Sequence, residues 1–502
     1  MINGIRLKKY FFLFLISICF ILSACSDTQR NSITFGLSTA PVTLDPRFAT
    51  DAVSYRITRL LYKSLVDFND KFQAIPDLAN WKQISLTHYR FTLRDEGREF
   101  HDGTRLTAGD VKATYQSVLD ASNASPHRGS IEMIKSMDVI DDNTIDFNLS
   151  QPDPLFPGRL VIGIMPASLI AKNHPFNHMP VGSGPMQFSM WEDNTRLSLI
   201  RIKDKQEIRF IEIKDPTVRV LKLLRGEIDL IQGDLTPEIV RWLVKRDSIR
   251  VEKKQGNTFT YIGFNMEDKL TGNKLIREAV AYAIDRDAII KYVMDETARK
   301  AGALFPPEHW AGNSELTGFD HDPEKAKTLL KEAGYDLNNP LKLTYKTSNN
   351  PFRLRLATII QSQLKSVGID IDIRSYDWGT FYGDIKAGNF QMYSLSWVGL
   401  KMPDIFRYVF HSSAVPPNGA NRGRMKDDYV DKLIEIAEIE PSLQRQAKLY
   451  RELQKYLADV LPYVPLWYED NVLAIRKDIK GYALSADGNF DALNNIKRLT
   501  HP

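Results

Sequence analysis

The stretch LRLATIIQSQLKSVGIDIDI, residues 354–373, decides the class of fold. Its apolar residues first recur at helical spacing, which predicts a helix over 354–367 that ends at Gly368. Apolar and acidic residues then alternate over 369–373, which predicts a strand with one buried face. A helix joined to a strand by one glycine is typical of an α/β layer, so we expect a mixed α/β fold.

Elements of both kinds are predicted along the rest of the chain. A first strand is expected at 33–37, and Thr107 is expected to cap a helix over 108–119. A helix is also expected over 276–293, because apolar residues recur there at helical spacing. A further helix opens at Asp322, the N-cap, with Pro323 in the first helical position. No internal repeat and no low-complexity linker divides the sequence.

The composition excludes several classes of protein. Of the 502 residues, 25% are charged and 10% are aromatic, as in an ordinary globular chain. The net charge of +4 is too small to indicate nucleic-acid binding. Two cysteines cannot build a disulfide scaffold, and no CxxC pair indicates a structural zinc site. The length predicts two or three domains.

The N-terminus has the pattern of an export signal. Three basic residues precede an apolar run over 10–22, which is too short to span a bilayer and ends in the sequence LSAC, with its cysteine at Cys25. This pattern resembles the lipobox of bacterial lipoproteins, in which the cysteine thiol receives a diacylglyceryl group and becomes the new N-terminus. A plain secretory signal with an incidental cysteine is the alternative. We expect a signal peptide over 1–24 and a tether over 25–32.

This interpretation predicts where the protein acts. No later apolar run approaches the roughly 20 residues that a spanning helix needs. We therefore expect the mature chain in the periplasm or at the outer face of the bacterial cell membrane, anchored through the lipid on Cys25. Cys19 lies within the apolar run and leaves with it, so the mature chain has one cysteine and no internal disulfide.

Motifs that carry catalysis were not found. The sequence has no GxxxxGK[ST], HExxH, GxSxG or GxGxxG pattern, and its nine histidines are scattered. The glycine-rich segment 181–185 lacks the lysine and the helix signal that a phosphate-binding loop needs. We expect a protein that is not an enzyme and that has no metal site and no cofactor.

Several segments together resemble the family 5 extracellular solute-binding proteins, the receptors of peptide and nickel ABC importers. They occur in the family's order over about residues 33–495. The segments are LDP at 44–46, LYKSLV at 61–66, IPDLANW at 75–81, YRFTLR at 89–94, FHDGT at 100–104, LTAGDV at 106–111, VGSGP at 181–185, LRGEID at 224–229, REAVAYAIDR at 277–286, DPEKA at 322–326 and LPYVPLW at 461–467.

The resemblance implies a two-lobed periplasmic-binding-protein-like α/β fold of the large peptide-binding type. The first lobe is expected over 31–258, with an inserted subdomain at 63–180, and is completed by 471–502. The second lobe is expected over 259–470. Two crossover segments near 260–265 and 467–468 are expected to connect the lobes.

The resemblance also implies a mechanism and partners. The lobes are expected to close on a peptide or other small solute, and the closed form docks on an ABC permease with its ATPase. Peptides are held extended by strand-like hydrogen bonds, with water filling roomy side-chain pockets. We expect a monomer that binds no nucleic acid.

The segment SWVGL at 396–400 resembles the family stretch that contacts the ligand. The resemblance implies that Trp397 packs on the ligand and that Val398 and Gly399 bind it through the backbone; a tryptophan buried in the core is the alternative. Peptide receptors of the family usually have aspartate three residues after this tryptophan, paired with the α-ammonium of the peptide. Leu400 stands there, and a buried ammonium without a carboxylate is costly.

Five other residues are candidates by resemblance. Asp404 is expected either to replace the missing aspartate or to structure its loop. Thr50 and Ala52 occupy the contact loop of the first lobe, unless this is a plain surface loop. His127 and Arg128 lie where the family places an aromatic residue or arginine at the cleft, unless their loop is exposed.

Two function hypotheses share the receptor role. The first ligand class is oligopeptides; the second is a metal chelate or a modified peptide without a free amine, which Leu400 favours and for which His411 is the candidate metal-side contact. An enzyme or signalling protein that kept the fold is a third reading. Arg353 and Arg355 lie near the carboxylate-binding loop of the family, but a solvated helix start explains them equally well.

Overall fold

The structure is a computed structural model that describes residues 32–69 and 71–499. The expected signal peptide, Cys25 and the tether up to residue 31 lie outside the described residues.

The described chain alternates strands and helices throughout. The strands are β1 (Ser32–Leu37), β2 (Val66–Phe68), β3 (Ala74–Pro76), β4 (Ala79–Ser85), β5 (His88–Leu93), β6 (Ile134–Asp141), β7 (Thr144–Leu149), β8 (Met186–Glu192), β9 (Arg196–Arg201), β10 (Glu207–Glu212), β11 (Leu230–Gln232), β12 (Ile249–Phe264), β13 (Ala298–Lys300), β14 (Leu341–Ser348), β15 (Ile369–Tyr376), β16 (Met392–Trp397), β17 (Tyr463–Arg476), β18 (Ile479–Lys480) and β19 (Lys497–Arg498).

The α-helices vary from one turn to five. They are α1 (Ala52–Leu61), α2 (Ala108–Leu119), α3 (Arg128–Ile131), α4 (Ala167–Ile170), α5 (Pro216–Leu224), α6 (Pro237–Val244), α7 (Lys274–Ala283), α8 (Arg286–Ala288), α9 (Pro323–Glu332), α10 (Pro351–Lys365), α11 (Trp378–Ala387), α12 (Ile405–Phe410), α13 (Asp428–Ile439) and α14 (Leu443–Val460), with a π-helical turn at Ile289–Val293.

The segment that opened the sequence analysis folds as predicted. The helix α10 is followed by Gly368, whose φ of 103° suits glycine, and then by β15. The helix α2 has its predicted bounds, and the Asp110 carboxylate accepts the Thr107 backbone N–H at 2.8 Å. The prediction of one helix over 276–293 is wrong.

The broken helix has a local cause. The helix α7 ends at Ala283, and Ile284 has extended backbone angles. The Asp285 side chain accepts the Ala288 N–H and caps the new helix α8, so the apolar periodicity continues across a change of direction. The buried guanidinium of Arg286 fixes this break, because it donates to the carbonyl oxygens of Ala301 and Phe319.

One large sheet runs through the molecule. Its order is β15-β14-β16-β12-β17-β11-β1-β10-β9-β8, with β13 also paired to β17. We call the part formed by β1 and β8–β11 the β1 half, and the part formed by β13–β16 the β14 half. A separate four-stranded sheet, β4-β5-β7-β6, has its own core built around Phe91, Phe147 and Phe156.

The β14 half is covered by helices on both faces. Successive residues of β12 point to opposite sides, so that Tyr261 joins a core with α12–α14 and Ile262 joins a core with α7, α9 and α10. The β1 half has a different core, in which Phe35 packs on Phe210 and Phe490 near the C-terminal end of the described chain. Each half thus has a core of its own.

The two long antiparallel strands β12 and β17 join the halves. Residues 249–254 of β12 pair with 471–476 of β17 beside the β1 half, and residues 258–263 pair with 463–469 beside the β14 half. Between these blocks the register shifts over 255–257, which we call the crossover bulge. The expected lobe boundaries at 258/259 and 470/471 fall next to it, and these bounds stay a prediction.

A glycine permits the close approach of the strands at the crossover bulge. A Cβ placed on Gly256 would lie 2.3 Å from the backbone oxygen of Glu469, far inside a normal contact distance. Glu469 cannot move aside without breaking its pairing with Thr258 of β12 and Ala298 of β13.

We therefore expect Gly256→Ala to lower the free energy of unfolding by about 1–3 kcal/mol, the usual cost of forcing extra atoms into a packed site. Denaturant unfolding of the purified chain measures this change. The control is Gly383→Ala in α11, where no atom lies within 4 Å of the added Cβ and alanine is the better helix former. Equal stability of Gly256→Ala and the wild type would contradict the assigned constraint.

Candidate functional site

The site is built from the end of β16 and the loop that follows it. Trp397, the last residue of β16, pairs with Phe259 of β12, two residues beyond the crossover bulge. Its ring is partly exposed and contacts Tyr408 edge-to-face at 6.2 Å. The guanidinium carbon of Arg422 lies 4.6 Å from the ring centre, and the buried indole Nε1 has no hydrogen-bond partner among the described residues.

The next three residues differ sharply in exposure. Val398 is 46% exposed, and Gly399 has a φ of 69°, a turn conformation that glycine adopts without strain. Leu400 is buried in the core that contains Phe406, so its side chain packs in the protein interior. Its carbonyl oxygen accepts the Asn257 Nδ2–H at 3.1 Å, which ties this loop to the crossover bulge.

Lys401 places a positive charge in the loop after β16. Its Nζ lies 2.9 Å from the Asp487 carboxylate, and both side chains are less than one-fifth exposed. Burial alone would lower the pKa of Lys401, but the neighbouring Tyr55 and Asp487 outweigh it and raise that pKa. For Asp487, burial alone would raise the pKa, but Lys401 outweighs it and lowers the pKa to about 2. The pair is therefore ionised at neutral pH and joins the loop after β16 to the C-terminal segment.

A histidine supports the same loop. The buried His309 donates from Nε2 to the Lys401 carbonyl oxygen at 3.1 Å, and its Nδ1 accepts the Ala311 N–H. Its ring also packs on Phe72, which lies between β2 and β3. Burial lowers the pKa of His309 to about 4, so the ring is neutral at neutral pH.

Asp404 is engaged with an arginine. Its carboxylate lies 3.3 Å from Nη1 of Arg159, which also binds Asp153. Burial raises the pKa of Asp404, and Arg159 offsets part of this effect. The carboxylate thus has a cationic partner within the protein.

A second ion pair lies at the crossover itself. Arg353, in the first turn of α10, binds both carboxylate oxygens of Glu469, at 2.6 and 3.0 Å. Glu469 also accepts the Thr260 hydroxyl at 2.6 Å. Burial alone would raise the pKa of Glu469, but Arg353 outweighs it and lowers that pKa. Arg355 binds Glu238 of α6 at 2.6 Å, so neither arginine is merely solvated.

The candidates from the first part of the chain occupy varied places. Thr50 is exposed, and Ala52 is the first residue of α1 rather than a loop residue, because the Asp51 side chain caps that helix. His127 contacts the backbone of Ala49, and burial lowers the pKa of its ring. Arg128 is exposed.

His411 has local partners. Its Nδ1 accepts the Ser413 N–H at 3.1 Å, and its Nε2 lies 3.4 Å from Glu435. Over residues 32–69 and 71–499, no group of three or more His, Cys, Asp or Glu side chains is placed to hold a metal ion.

The structure brings together the residues at 397–401, Asp487 and Arg422. Of these, the sequence analysis singled out Trp397, Val398, Gly399 and the departure at Leu400, but not Lys401, Asp487 or Arg422. No local pattern identifies these three, because Lys401 and Asp487 are 86 positions apart and the hydrogen-bond partners of Arg422 are 40 and 161 positions away.

A family model decides the relationship. The model described as bacterial extracellular solute-binding proteins, family 5 (middle) matches residues 73–416. The chain belongs to this family. The resemblance noted in the sequence is therefore confirmed. Proteins of family 5 bind solutes, and they act outside the cytoplasm.

Relatives in family 5 match almost the whole chain. The dipeptide-binding protein of Escherichia coli (strain K12) is 27% identical over 514 residues, covering 93% of this chain and 95% of the relative. Heme-binding protein A of Haemophilus influenzae is 27% identical over 512 residues, covering 94% and 93%.

Solved structures establish the fold. One is the ABC transporter-associated periplasmic binding protein DppA of Helicobacter pylori, in complex with the peptide STSA. It superposes on this chain with a TM-score of 0.82 at 28% sequence identity. The match covers 93% of this chain and 98% of that chain. The two-lobed α/β fold of family 5 is thereby confirmed. Within the described part of the chain, no helix combines the length and apolar character needed to cross a membrane.

Removal of the Asp487 carboxylate tests the ion pair with Lys401. We expect Asp487→Asn to lower the free energy of unfolding at pH 7 by about 3 kcal/mol, because the Lys401 ammonium stays buried without its counter-ion. The pKa of Asp487 is lowered in the folded state, so its contribution is fully present above about pH 4 and is lost as the pH falls towards 2. Denaturant unfolding at a series of pH values measures both effects.

The matched control is Asp372→Asn, which removes the partner of Arg374 in an ion pair that is more than half exposed. Such a pair contributes at most about 1 kcal/mol. A loss for Asp487→Asn no larger than that of the control, or one that persists unchanged at pH 2, would show that the pair does not join the two segments.

Proposed function

We propose that the chain is a lipid-anchored substrate-binding protein of an ABC importer, which captures peptides between two closing lobes and delivers them to a permease. The observation that carries the proposal is the position of Trp397 beside the crossover bulge, with Lys401 reaching Asp487 on a segment far along the chain. The names of the Escherichia coli relative and of the Helicobacter pylori structure, a dipeptide-binding protein and a peptide complex, support peptides as the ligand class.

The mechanism uses the two strands that join the halves of the sheet. Bending at the crossover bulge changes the angle between the halves without disturbing either core. A ligand that contacts both halves favours the closed form by its differential affinity for that form. Closure then presents a defined surface to the permease. The lobes in this proposal are 31–258 with 471–502, and 259–470.

Residues at the end of β16 are proposed to contact the ligand. In this proposal Trp397 packs on the ligand, while the backbones of Val398 and Gly399 bind it in a strand-like manner. Thr50 and Ala52 at the start of α1, and His127 and Arg128 near α3, approach it from the other lobe. Asp404 supports the loop through Arg159.

An alternative ligand class has an observation of its own. Leu400 is buried among apolar residues. The nearest charge on this loop is the ammonium of Lys401, which is already paired with Asp487. A ligand ammonium would therefore meet a leucine and a lysine, where peptide receptors of the family usually present an aspartate. This favours a modified peptide without a free amine or a metal chelate, and Heme-binding protein A is a relative whose name denotes a ligand of the latter kind.

Mass spectrometry of ligands released from natively purified protein tests the proposal. We expect short peptides of mixed sequence. A single non-peptide compound would contradict the peptide proposal, and peptides with only blocked N-termini would favour the alternative class. Recovery of mixed peptides with free amines would show that Leu400 does not exclude them.

Substitution of Cys25 tests the anchor. We expect the Cys25→Ser precursor to lose lipid labelling and to appear in the soluble fraction after cell lysis, because the thiol that accepts the lipid is absent. Labelling with a fatty-acid analogue and fractionation measure the change, and Ser26→Ala is the control that keeps the cysteine. Lipid-labelled Cys25→Ser protein in the membrane fraction would refute the lipoprotein assignment.

A further inference from the structure

Arg422 is a buried cation without a carboxylate partner. It is 7% exposed, and no carboxylate of the described residues lies within ion-pair distance. Its Nη1 and Nη2 donate only to phenol oxygens, those of Tyr261 at 3.3 Å and Tyr382 at 3.0 Å. Burying a cation without an anionic partner is costly, so this site has a positive charge in excess.

Other buried arginines of the chain are satisfied differently. Arg277 donates to the carbonyl oxygens of Thr271, Val460 and Leu461, which lie at helix ends and loops. Arg286 is likewise surrounded by backbone carbonyls. Arg422 has no carbonyl partner among the described residues, which sets it apart from arginines that only hold loops together.

Arg422 lies directly behind the ring of Trp397. Its guanidinium carbon is 4.6 Å from the centre of the Trp397 ring and 5.2 Å from that of Tyr382. Trp378 stacks on Tyr382, and Tyr408 contacts Trp397 edge-to-face. Trp378 is 58% exposed and Tyr408 48%, so this aromatic row opens to solvent at both ends.

One N–H of Trp397 and one of Arg422 have no hydrogen-bond partner among the described residues. They are the Nε1–H of Trp397 and the Nε–H of Arg422. A ligand carboxylate beside Trp397 and Arg422 would supply an acceptor for these donors and would neutralise the excess charge through charge-assisted hydrogen bonds. The planar guanidinium suits a carboxylate better than an ammonium would.

We propose that Arg422 recognises a carboxylate of the ligand that is seated against Trp397. The inference rests on the proposed function, since it places this carboxylate in the same cleft, and it extends that function by giving the ligand a negative charge at this point. The carboxylate comes from a peptide C-terminus or from an acidic side chain.

Acetate is the first probe, because it needs no knowledge of the ligand. Sodium acetate is titrated into the full chain in detergent at constant ionic strength, with tryptophan fluorescence as the readout. We expect a saturable change in the wild type and a weakening of at least about tenfold in Arg422→Gln, the loss expected for one charge-assisted hydrogen bond. Arg422→Lys should bind more weakly than the wild type but better than Arg422→Gln.

A matched control lies two residues away. Arg424→Gln removes the same charge from the same loop, but Arg424 donates to the Ala387 carbonyl and does not contact Trp397. We expect its acetate response to equal that of the wild type. The same response in Arg422→Gln and the wild type, or no saturable response in the wild type, would overturn the inference.

Three N-acetylated peptides distinguish the sources without any variant. They are Ac-Ala-Ala-Ala with a free carboxylate, the same peptide as its amide, and Ac-Ala-Glu-Ala amide. Tighter binding of the first indicates a C-terminal carboxylate, and tighter binding of the third indicates an acidic side chain. Equal binding of all three supports the proposed function and overturns the role of Arg422. If no peptide binds but acetate does, the peptide function fails and the anion site stands.

Discussion

The pairing of β12 with β17 is the constraint on which the rest of the structure depends. Each strand contributes one stretch to the β1 half and another to the β14 half, so the two cores share a continuous backbone. The register shift over 255–257 is the point where this pairing is weakest, since residues there leave the ladder. The tight approach of Gly256 to Glu469 limits which residue can stand there.

Two ion pairs lie near the paired strands β12 and β17. Arg353 and Glu469 lie at the crossover, while Lys401 and Asp487 join segments that a single core does not hold together. Buried ion pairs contribute little net stability compared with apolar packing. They are specific in geometry, because displacing one partner leaves the other charge buried and unpaired. Their role is therefore to define the relative position of segments. In the proposed mechanism, this definition sets the angle at which the two lobes meet a solute.

Sequence patterns predicted the local structure well where one periodicity governs. The helix α10, Gly368 and β15 follow from residues close to one another, and so does the capped helix α2. The helix expected over 276–293 failed because Asp285 caps a new helix while the apolar spacing continues through the break. Apolar periodicity indicates which residues are buried, but it does not indicate the direction of the helix axis.

The site was predictable only in part, for a physical reason. Trp397 and the departure at Leu400 were found from a contiguous motif, whereas Arg353 meets Glu469 across 116 positions and Arg422 meets Tyr382 across 40. Such partners are brought together by sheet order, which no short segment encodes. Ala52 was expected in a loop but begins α1, and the first turn of this helix has no acidic residue that would indicate a helix start beyond the cap at Asp51.

The hydrogen bond from Asn257 to the Leu400 carbonyl has a mechanical consequence. Asn257 belongs to the bulge at which the halves are proposed to rotate, and Leu400 follows directly on Gly399 in the loop after Trp397. In the proposed closure, this hydrogen bond couples rotation of the halves to displacement of the loop after β16. Rotation would thus move the backbone of the loop that is proposed to hold the solute.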